Sequence, residues 1–314
     1  MKMKIMIIGG TNFIGPVVAS CLEKQGHNVT LFHRAESQLP HHAEVQGDCD
    51  SPDDLEKAID LVCPDMIIHM IAMYQSHIEA LEKALDGQKM KVLLISSVDV
   101  YKGFEVFNKL SSAPVQPIPF TEKSPLRDIR FPYRGKPGIN FGYYYDKILV
   151  EQTALQSPVL DTVIVRLGMV YGKNDPNRRF KDIIHQMNDG AKTIKINEKI
   201  AALKTCKCYV ENIAQGIALA AQKGTVGEIY NLADNGIFSE LEWNKIIAKL
   251  MDWNGEFVIT YEDNGCELVK AANLDQHLVV DSTKVRKELD FTEIISLEIG
   301  LLNTIQWEVN HNLL

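Results

Sequence analysis

The stretch that decides the fold stands near the start of the chain and reads Lys4-Ile5-Met6-Ile7-Ile8-Gly9-Gly10-Thr11-Asn12-Phe13-Ile14-Gly15. The apolar run in Lys4–Ile8 predicts a buried strand that ends at two glycines. The pattern over Ile14–Gln25 predicts a helix, in which Pro16 is tolerated because it lies in the first turn. The chain therefore begins with a strand, a glycine-rich turn and a helix.

A turn of this kind is suited to binding a phosphate. The first N–H groups of a helix have no partner inside the helix, and the helix dipole is positive at that end. Glycines let a pyrophosphate approach the backbone closely. We therefore predict a dinucleotide site, whose candidate binding residues are Gly9, Thr11, Asn12, Phe13, Ile14 and Gly15.

Short apolar runs and amphipathic stretches alternate along the first half of the chain. This alternation is typical of a parallel sheet covered by helices on both faces. The predicted later strands are Val29–Phe32, Ala43–Gln46, Met66–Ile71, Val92–Ile95, Val163–Arg166 and Glu228–Asn231. The predicted later helices are Ser51–Leu61, one around His77–Leu85, Glu240–Met251 and Ser296–Val309.

Composition narrows the class of protein without indicating its chemistry. The 314 residues include 33 Lys and Arg against 41 Asp and Glu, a formal net charge of −8, which disfavours a general nucleic-acid coat protein. Six cysteines occur without a Cys-x-x-Cys pair, and the histidines show no ligand spacing, so we predict reduced thiols and no metal site. Without an 18-residue apolar run or a signal-peptide pattern, we expect a cytoplasmic protein that does not enter a membrane.

Two motifs carry candidate catalytic residues. Ser96-Ser97-Val98-Asp99-Val100-Tyr101 follows an apolar strand, and Tyr143 and Lys147 form a Tyr-x-x-x-Lys pair with Glu151 four residues further on. A free tyrosine has a pKa near 10, too high for a base at neutral pH. A lysine one helical turn away would lie on the same face and favour the phenolate.

These motifs resemble those of the extended short-chain dehydrogenase/reductases, the NAD(P)-dependent epimerase/dehydratase family, in an atypical form. The resemblance implies a Rossmann-type doubly wound sheet in residues 1–172, to which residues 208–235 return, and a smaller α+β substrate-binding region in 173–314. It also implies that Tyr143 is the general acid/base, that Lys147 tunes it and contacts the nicotinamide ribose, and that Ser97 orients the substrate oxygen. Asn12 replaces the middle glycine of the family's turn, and we expect it to survive there because Asn tolerates a positive φ.

The end of the second strand bears on the choice of cofactor. Members that prefer NAD carry an acidic residue there, whereas this chain has His33-Arg34. Arg can pair with a 2′-phosphate, so we predict NADP rather than NAD. The alternative is that Arg34 is a solvated loop residue and that Glu36 binds the ribose. The resemblance adds further cofactor-binding positions, which are Asp48, Ile71, Ala72 and Val170.

The substrate-binding features depart from the family pattern. Members acting on nucleotide-linked sugars use an Asn where this chain has Met169, and an Arg near the position of Thr205. The segment 102–142 is rich in proline and aromatic residues, and we expect an ordered loop over the site. We therefore expect a small sugar-like or other hydroxyl or carbonyl substrate that is less polar or bound differently, and leave a homodimer open.

A rival function comes from the same atypical branch, which includes chloroplast stem-loop RNA-binding proteins. In that case the protein would bind RNA or sense NADP with little catalysis. The basic residues available for RNA are Arg127, Arg130, Arg134, Arg178, Arg179 and Lys181.

Overall fold

The structure, a computed structural model, describes residues 2–34, 41–136, 142–261 and 267–311. Its strands are β1 (Lys4–Ile8), β2 (Asn28–His33), β3 (Ala43–Gln46), β4 (Met66–His69), β5 (Met90–Ser97), β6 (Leu160–Leu167), β7 (Met169–Tyr171), β8 (Thr193–Asn197), β9 (Lys204–Thr205), β10 (Lys207–Tyr209), β11 (Ile229–Leu232), β12 (Phe238–Ser239) and β13 (Glu256–Thr260). Its α-helices are α1 (Ile14–Lys24), α2 (Pro52–Val62), α3 (Gln75–Leu85), α4 (Lys102–Phe107), α5 (Lys147–Gln156), α6 (Lys181–Asn188), α7 (Glu198–Ala202), α8 (Val210–Lys223), α9 (Glu240–Leu250), α10 (Glu267–Ala271), α11 (Thr283–Leu289) and α12 (Leu297–Asn310).

A sheet of seven parallel strands, counted over the described residues, runs in the order β11-β6-β5-β4-β1-β2-β3. The chain builds outward from β1 in one direction, then resumes at β4 on the other side. The strand order therefore reverses between β1 and β4, and ligands of such sheets bind beyond the carboxyl ends of the strands at this point. The predicted doubly wound α/β fold is confirmed.

Both faces of the sheet are buried, which explains the unbroken apolar runs in its central strands. Ile5 and Ile7 of β1 pack into one hydrophobic cluster, and Met6 and Ile8 pack into another. All four side chains are fully buried. The helices supply the opposite walls of the two clusters, so the sheet is a rigid base for the loops at its edge.

A side-chain cap and a proline explain where α2 begins. The Ser51 side chain accepts a hydrogen bond from the Asp54 backbone N–H, and Pro52 occupies the first turn of α2.

The predicted fourth strand is too long, because β4 ends at His69 rather than at Ile71. The fifth is too short, since β5 continues to Ser97 and so carries that side chain to the edge of the sheet.

The rest of the chain adds short two-stranded sheets and helices beside the large sheet. β7 pairs with β10, β12 with β9, and β13 with β8. β11 then returns to the large sheet and pairs with β6.

The division of the chain near residue 172 stays a prediction. In the described ranges, the helices are too short or too polar to cross a bilayer.

Buried charges hold the proline- and aromatic-rich segment, residues 102–142, against the sheet; of its residues, 137–141 lie outside the described ranges. Glu105 is fully buried and accepts hydrogen bonds from the backbone N–H groups of Asp128 and Ile129 at 2.8 and 3.1 Å. Arg127 is also buried and donates to the Asp99 carbonyl at 2.6 Å. The segment is thus ordered over most of its length, and it includes α4, which its sequence pattern does not predict.

Candidate active site

The glycine-rich turn forms a cradle in which side chains have no space. Gly9 has φ +83°, and a Cβ on it would lie 2.5 Å from a side-chain carbon of Ile71. A Cβ on Gly15 would lie 2.5 Å from the carbonyl carbon and oxygen of Gly10. The positive φ expected at Asn12 falls on Phe13, at 25°. That part of the prediction is wrong, because Phe13 makes the turn into α1 while the Asn12 carbonyl accepts the Gly15 N–H at 2.8 Å.

A cavity of about 590 Å³ opens above this cradle at the reversal of strand order. The predicted cofactor-binding residues that line it are Gly9, Thr11, Asn12, His33, Arg34 and Ile71. The predicted residues that do not line this cavity are Phe13, Ile14, Gly15, Asp48, Ala72, Lys147 and Val170. Cys49, Asp50, Tyr74 and His77 line it without having been predicted. They lie after β3 and β4, where loop sequence carries no periodic signal.

His33, the last residue of β2, and Arg34, which follows it, also line this cavity. His33 is buried, with Nε2 3.3 Å from Glu44 Oε2. Arg34 is 71% exposed and its Nη1 lies 3.7 Å from Asp48 Oδ2. Its guanidinium is therefore accessible to a ligand. Glu36, the alternative ribose ligand, lies outside the described residues. The glycine cradle, the N-terminus of α1 and the cavity size together fit a nicotinamide dinucleotide.

A second cavity, of about 370 Å³, adjoins the first, and Met73 lines both. Ser97 and Lys147 face it, as do the apolar side chains of Phe104, Leu167 and Met169. Ser97 and Lys147, which the sequence motifs predict to act together, thus line one cavity.

Lys147 is held by the loop after β4 and by the end of β5. Its Nζ donates to the carbonyl oxygens of Ala72 at 2.8 Å and Ile95 at 2.9 Å. Burial lowers the pKa of Lys147 to about 8, against the opposing effect of Asp99 and Glu151. The lysine can therefore lose its charge near pH 8 at the wall of the second cavity.

Tyr143 is placed differently from the prediction. α5 begins at Lys147, where the Asp146 side chain caps it by accepting the Ile148 N–H at 3.0 Å. Tyr143 is 57% exposed, its ring lies against the guanidinium of Arg134, and it does not line the second cavity. The prediction that Tyr143 and Lys147 share one face of a helix is wrong, because the helix starts after the tyrosine. The catalytic role of Tyr143 stays a prediction.

Two other phenols face the second cavity and meet at one carboxylate. Tyr145 and Tyr133 donate hydrogen bonds to Asp99 Oδ2 at 2.7 and 3.1 Å. Burial raises the pKa of Asp99, and burial together with the Asp99 carboxylate raises the pKa of Tyr145. Sequence reasoning missed this group, although Asp99 stands only two residues after Ser97.

Comparison with known proteins identifies the family. The family model described as NAD dependent epimerase/dehydratase matches residues 5–233. The chain belongs to the NAD-dependent epimerase/dehydratase family. As a member it is an enzyme of the NAD(P)-dependent epimerase, dehydratase or reductase type, and the predicted resemblance is confirmed.

Curated relatives of this family member have diverse names. The UDP-N-acetyl-alpha-D-glucosaminuronate decarboxylase of Bacillus cytotoxicus is 26% identical, over 98% of both chains. A 3 beta-hydroxysteroid dehydrogenase/Delta 5-->4-isomerase of Mycobacterium tuberculosis is 25% identical, over 69% of this chain and 60% of its own. The chloroplast stem-loop binding protein of 41 kDa b of Arabidopsis thaliana is 41% identical over 60 residues, 19% of this chain and 16% of its own.

Solved structures of the family share the fold. The dTDP-glucose 4,6-dehydratase of Bacillus anthracis, solved in complex with NAD, superposes with a TM-score of 0.72 at 18% identity, covering 99% of this chain and 97% of its own. The UDP-glucose 4-epimerase of Thermotoga maritima, solved with UDP-glucose, gives 0.71 at 17% identity, covering 98% of each chain. At these identities the likeness extends to the fold alone.

Proposed function

We propose that this family member oxidises or reduces a C–OH or C=O centre of a small sugar-like or other hydroxylated substrate, with epimerisation or dehydration as a following step. The observation that carries the proposal is the junction at Met73, where the glycine-cradled cavity meets the cavity of Ser97 and Lys147. This arrangement supports a dinucleotide in the first cavity and a substrate in the second.

Ser97 and Lys147 have distinct tasks in the second cavity. When bound, a nicotinamide ring supplies reversible hydride transfer. Ser97 orients the reacting oxygen by hydrogen bonding. Lys147, anchored on the Ala72 and Ile95 carbonyls, keeps a positive charge near the site of proton transfer and stabilises a phenolate.

For the proton transfer itself we propose Tyr145 in place of Tyr143. A general acid must come within hydrogen-bond reach of the reacting oxygen. Tyr145 is 6% exposed and lines the cavity with Lys147, whereas Tyr143 lies outside it. In the direction of reduction, the Tyr145 hydroxyl turns from Asp99 Oδ2 and gives its proton to the new alkoxide. Lys147, which lines the same cavity, then offsets the charge of the phenolate.

The cofactor choice rests on Arg34. The exposed guanidinium follows β2 and lines the first cavity, where it can pair with a 2′-phosphate. Of the acidic residues described near the end of β2, Glu44 lies 3.3 Å from His33 Nε2, and Asp48 lies 3.7 Å from Arg34 Nη1. This charge arrangement favours NADP over NAD, although related structures have been solved with NAD.

RNA binding, the rival function, has less support. Of the basic residues suggested for it, Arg127 is buried, Arg178 pairs with Glu308 at 2.6 Å, and Arg179 pairs with Asp175 at 2.8 Å. These side chains are engaged within the protein, and the similarity to the stem-loop binding protein covers a fifth of the chain.

The test is hydride transfer measured by the absorbance of reduced cofactor, with NADP and NAD and a panel of uncharged alcohols, ketones and nucleotide-linked sugars. We expect Tyr145→Phe to lose about 100-fold or more in kcat on any substrate found. Tyr143→Phe, its matched control two residues away, should stay within a few-fold of the wild type. A large loss in Tyr143→Phe alone would return the proton transfer to that residue. No hydride transfer with any panel member, in a protein that binds the dinucleotide, would contradict the proposed activity.

A further inference from the structure

We propose that the substrate is an uncharged compound with a second hydroxyl beside the reacting carbon, and that Asp99 binds this hydroxyl. The inference rests on the proposed function and deepens it by naming the class of substrate. It is carried by the hydrogen bonding of Asp99, the charges around the second cavity and the apolar part of its wall.

The Asp99 carboxylate has one engaged oxygen and one without a partner. Oδ2 accepts the two phenol hydroxyls of Tyr133 and Tyr145. Oδ1 is buried and has no hydrogen-bond partner among the described residues. Buried polar atoms in proteins nearly always have a partner, and for an atom of a residue that lines a cavity a ligand group can be that partner. Since Asp99 lines the second cavity, the substrate can supply it.

The chemistry of a carboxylate restricts that ligand group to a donor. An ionised carboxylate accepts hydrogen bonds and donates none. The phenols of Tyr133 and Tyr145 hold Oδ2, which fixes the orientation of the carboxylate and hence of Oδ1. We assign this donor to a hydroxyl on the carbon next to the reacting one, because Ser97 and Asp99 line the same cavity. The two residues are also joined locally, since Ser97 Oγ accepts the backbone N–H of Asp99 at 3.2 Å.

The charges around the cavity disfavour an anionic substrate. Arg179 lines the cavity, but its Nη1 donates to both carboxylate oxygens of the buried Asp175, at 2.8 Å each. Among the described residues that line it, Lys147 is the other lysine or arginine, and Asp99 balances its charge. A diphosphate or carboxylate would therefore meet no surplus positive charge and would be repelled by Asp99.

The remaining wall favours a substrate with an apolar side. Phe104, Leu167 and Met169 line the cavity together with Met73. These side chains can cover a hydrocarbon chain or the face of a ring, while the hydroxyl groups reach Ser97 and Asp99. The combination indicates an alcohol or ketone that is polar at one end and apolar at the other.

The experiment measures binding rather than turnover, so that its failure is separable from failure of the proposed activity. The protein is saturated with NADP, and saturation-transfer NMR titrations give Kd values for cis-cyclohexane-1,2-diol, for cyclohexanol and for UDP-glucose. We expect the diol to bind about tenfold more tightly than cyclohexanol, the effect of a hydrogen bond to a charged group. UDP-glucose should fail to displace the diol.

The variant Asp99→Asn tests whether Asp99 causes this preference. Its control is Asp281→Asn, at a half-buried carboxylate outside the second cavity that accepts the Thr283 N–H at 2.6 Å. We expect the diol preference to fall to about twofold or less in Asp99→Asn and to be unchanged in the control. Equal binding of diol and cyclohexanol to the wild type would overturn the proposal, and so would displacement of the diol by UDP-glucose. Both outcomes are measured on the wild type, so the proposal stays falsifiable if Asp99→Asn does not fold. A diol preference that persists in a folded Asp99→Asn would overturn the role of Asp99.

Discussion

Glu151 and Arg166 form a buried two-point ion pair that joins the helix carrying Lys147 to the sheet. Arg166 Nη2 and Nε lie 2.6 and 2.9 Å from the two carboxylate oxygens of Glu151. The hydroxyl of Ser96, the residue before Ser97, donates to the same carboxylate at 2.6 Å. The pair thus fixes α5 relative to the ends of β5 and β6, where Ser97 and Leu167 line the second cavity.

Removing the charge of Glu151 should destabilise the protein strongly. In Glu151→Gln the buried guanidinium of Arg166 loses its counter-charge, and breaking a buried pair costs about 3–5 kcal/mol. The free energy of unfolding, measured by urea denaturation, checks this value. The control is Glu56→Gln on the exposed side of α2, which should change the free energy by about 0.5 kcal/mol or less. Equal effects of the two substitutions would contradict the structural role of the pair.

Lys147 should impose an alkaline limit on activity. Its pKa is about 8 in the folded protein, so it loses its positive charge as the pH rises through that value. We expect log kcat/KM to fall above about pH 8. Lys147→Arg keeps its charge throughout this range, so any activity it retains should lack this decline. A pH–rate profile of both proteins measures the difference, and an identical alkaline limb in both would exclude Lys147 as its cause.

The same pKa predicts a change of stability with pH. The folded value lies below the ordinary value of 10.5, so between about pH 8 and 10.5 the unfolded state binds the proton more strongly than the folded state. The free energy of unfolding therefore gains a contribution that rises with pH across this window. Denaturation at several pH values should show a smaller rise for Lys147→Met than for the wild type.

Arg34→Ala should weaken the binding of NADP selectively. The substitution removes a guanidinium that can pair with the 2′-phosphate, and a hydrogen bond to a charged group typically contributes about 1.5–3 kcal/mol. Calorimetric titration should show about a tenfold or larger increase of the Kd for NADP, and a change within about twofold for NAD. Lys89→Ala, at an exposed lysine 4.0 Å from Asp161, is the control and should leave both values unchanged. Equal losses for the two dinucleotides would argue against the assignment of Arg34.

Gly15→Ala should abolish dinucleotide binding. The added methyl carbon would lie 2.5 Å from the backbone of Gly10, which cannot move without opening the turn. Gly87 is the control, since nothing lies within 4 Å of an added Cβ there; unlike Gly15 it has a positive φ, +83°. Gly87→Ala should therefore cost about 1–2 kcal/mol of stability through backbone strain alone and leave dinucleotide affinity intact. Calorimetry and urea denaturation of both variants separate these two effects.

Elements with a strong local pattern could be predicted from the sequence. The bounds of β1 and β3 agree residue for residue with the predictions, and α1 ends one residue earlier than expected. The apolar run of β1 and the glycines that follow β1 and β3 are local signals. The strands β7 and β10 were missed, because three residues are too few to show a period of two.

The candidate site could be predicted only where one motif carries it. Ser97 and Lys147 follow from short motifs at strand and helix ends. Tyr133 stands 34 positions from Asp99, and their contact depends on the path of an irregular segment. Asp146 is a local signal for the start of α5, since Asp is a preferred N-cap residue and directly precedes the helix.

The carboxylate of Asp146 connects the first turn of α5 to the proline- and aromatic-rich segment, two parts that protein engineering would vary separately. One oxygen caps α5, and the other accepts the Phe131 N–H at 2.8 Å, with Arg127 3.4 Å from the capping oxygen. The long aromatic segment is therefore anchored at the first turn of the helix that begins with Lys147. Shortening or grafting this segment would disturb the lysine as well as the walls of the pocket. Altering specificity by exchanging single side chains that face the cavity, such as Phe104 or Met169, avoids that coupling.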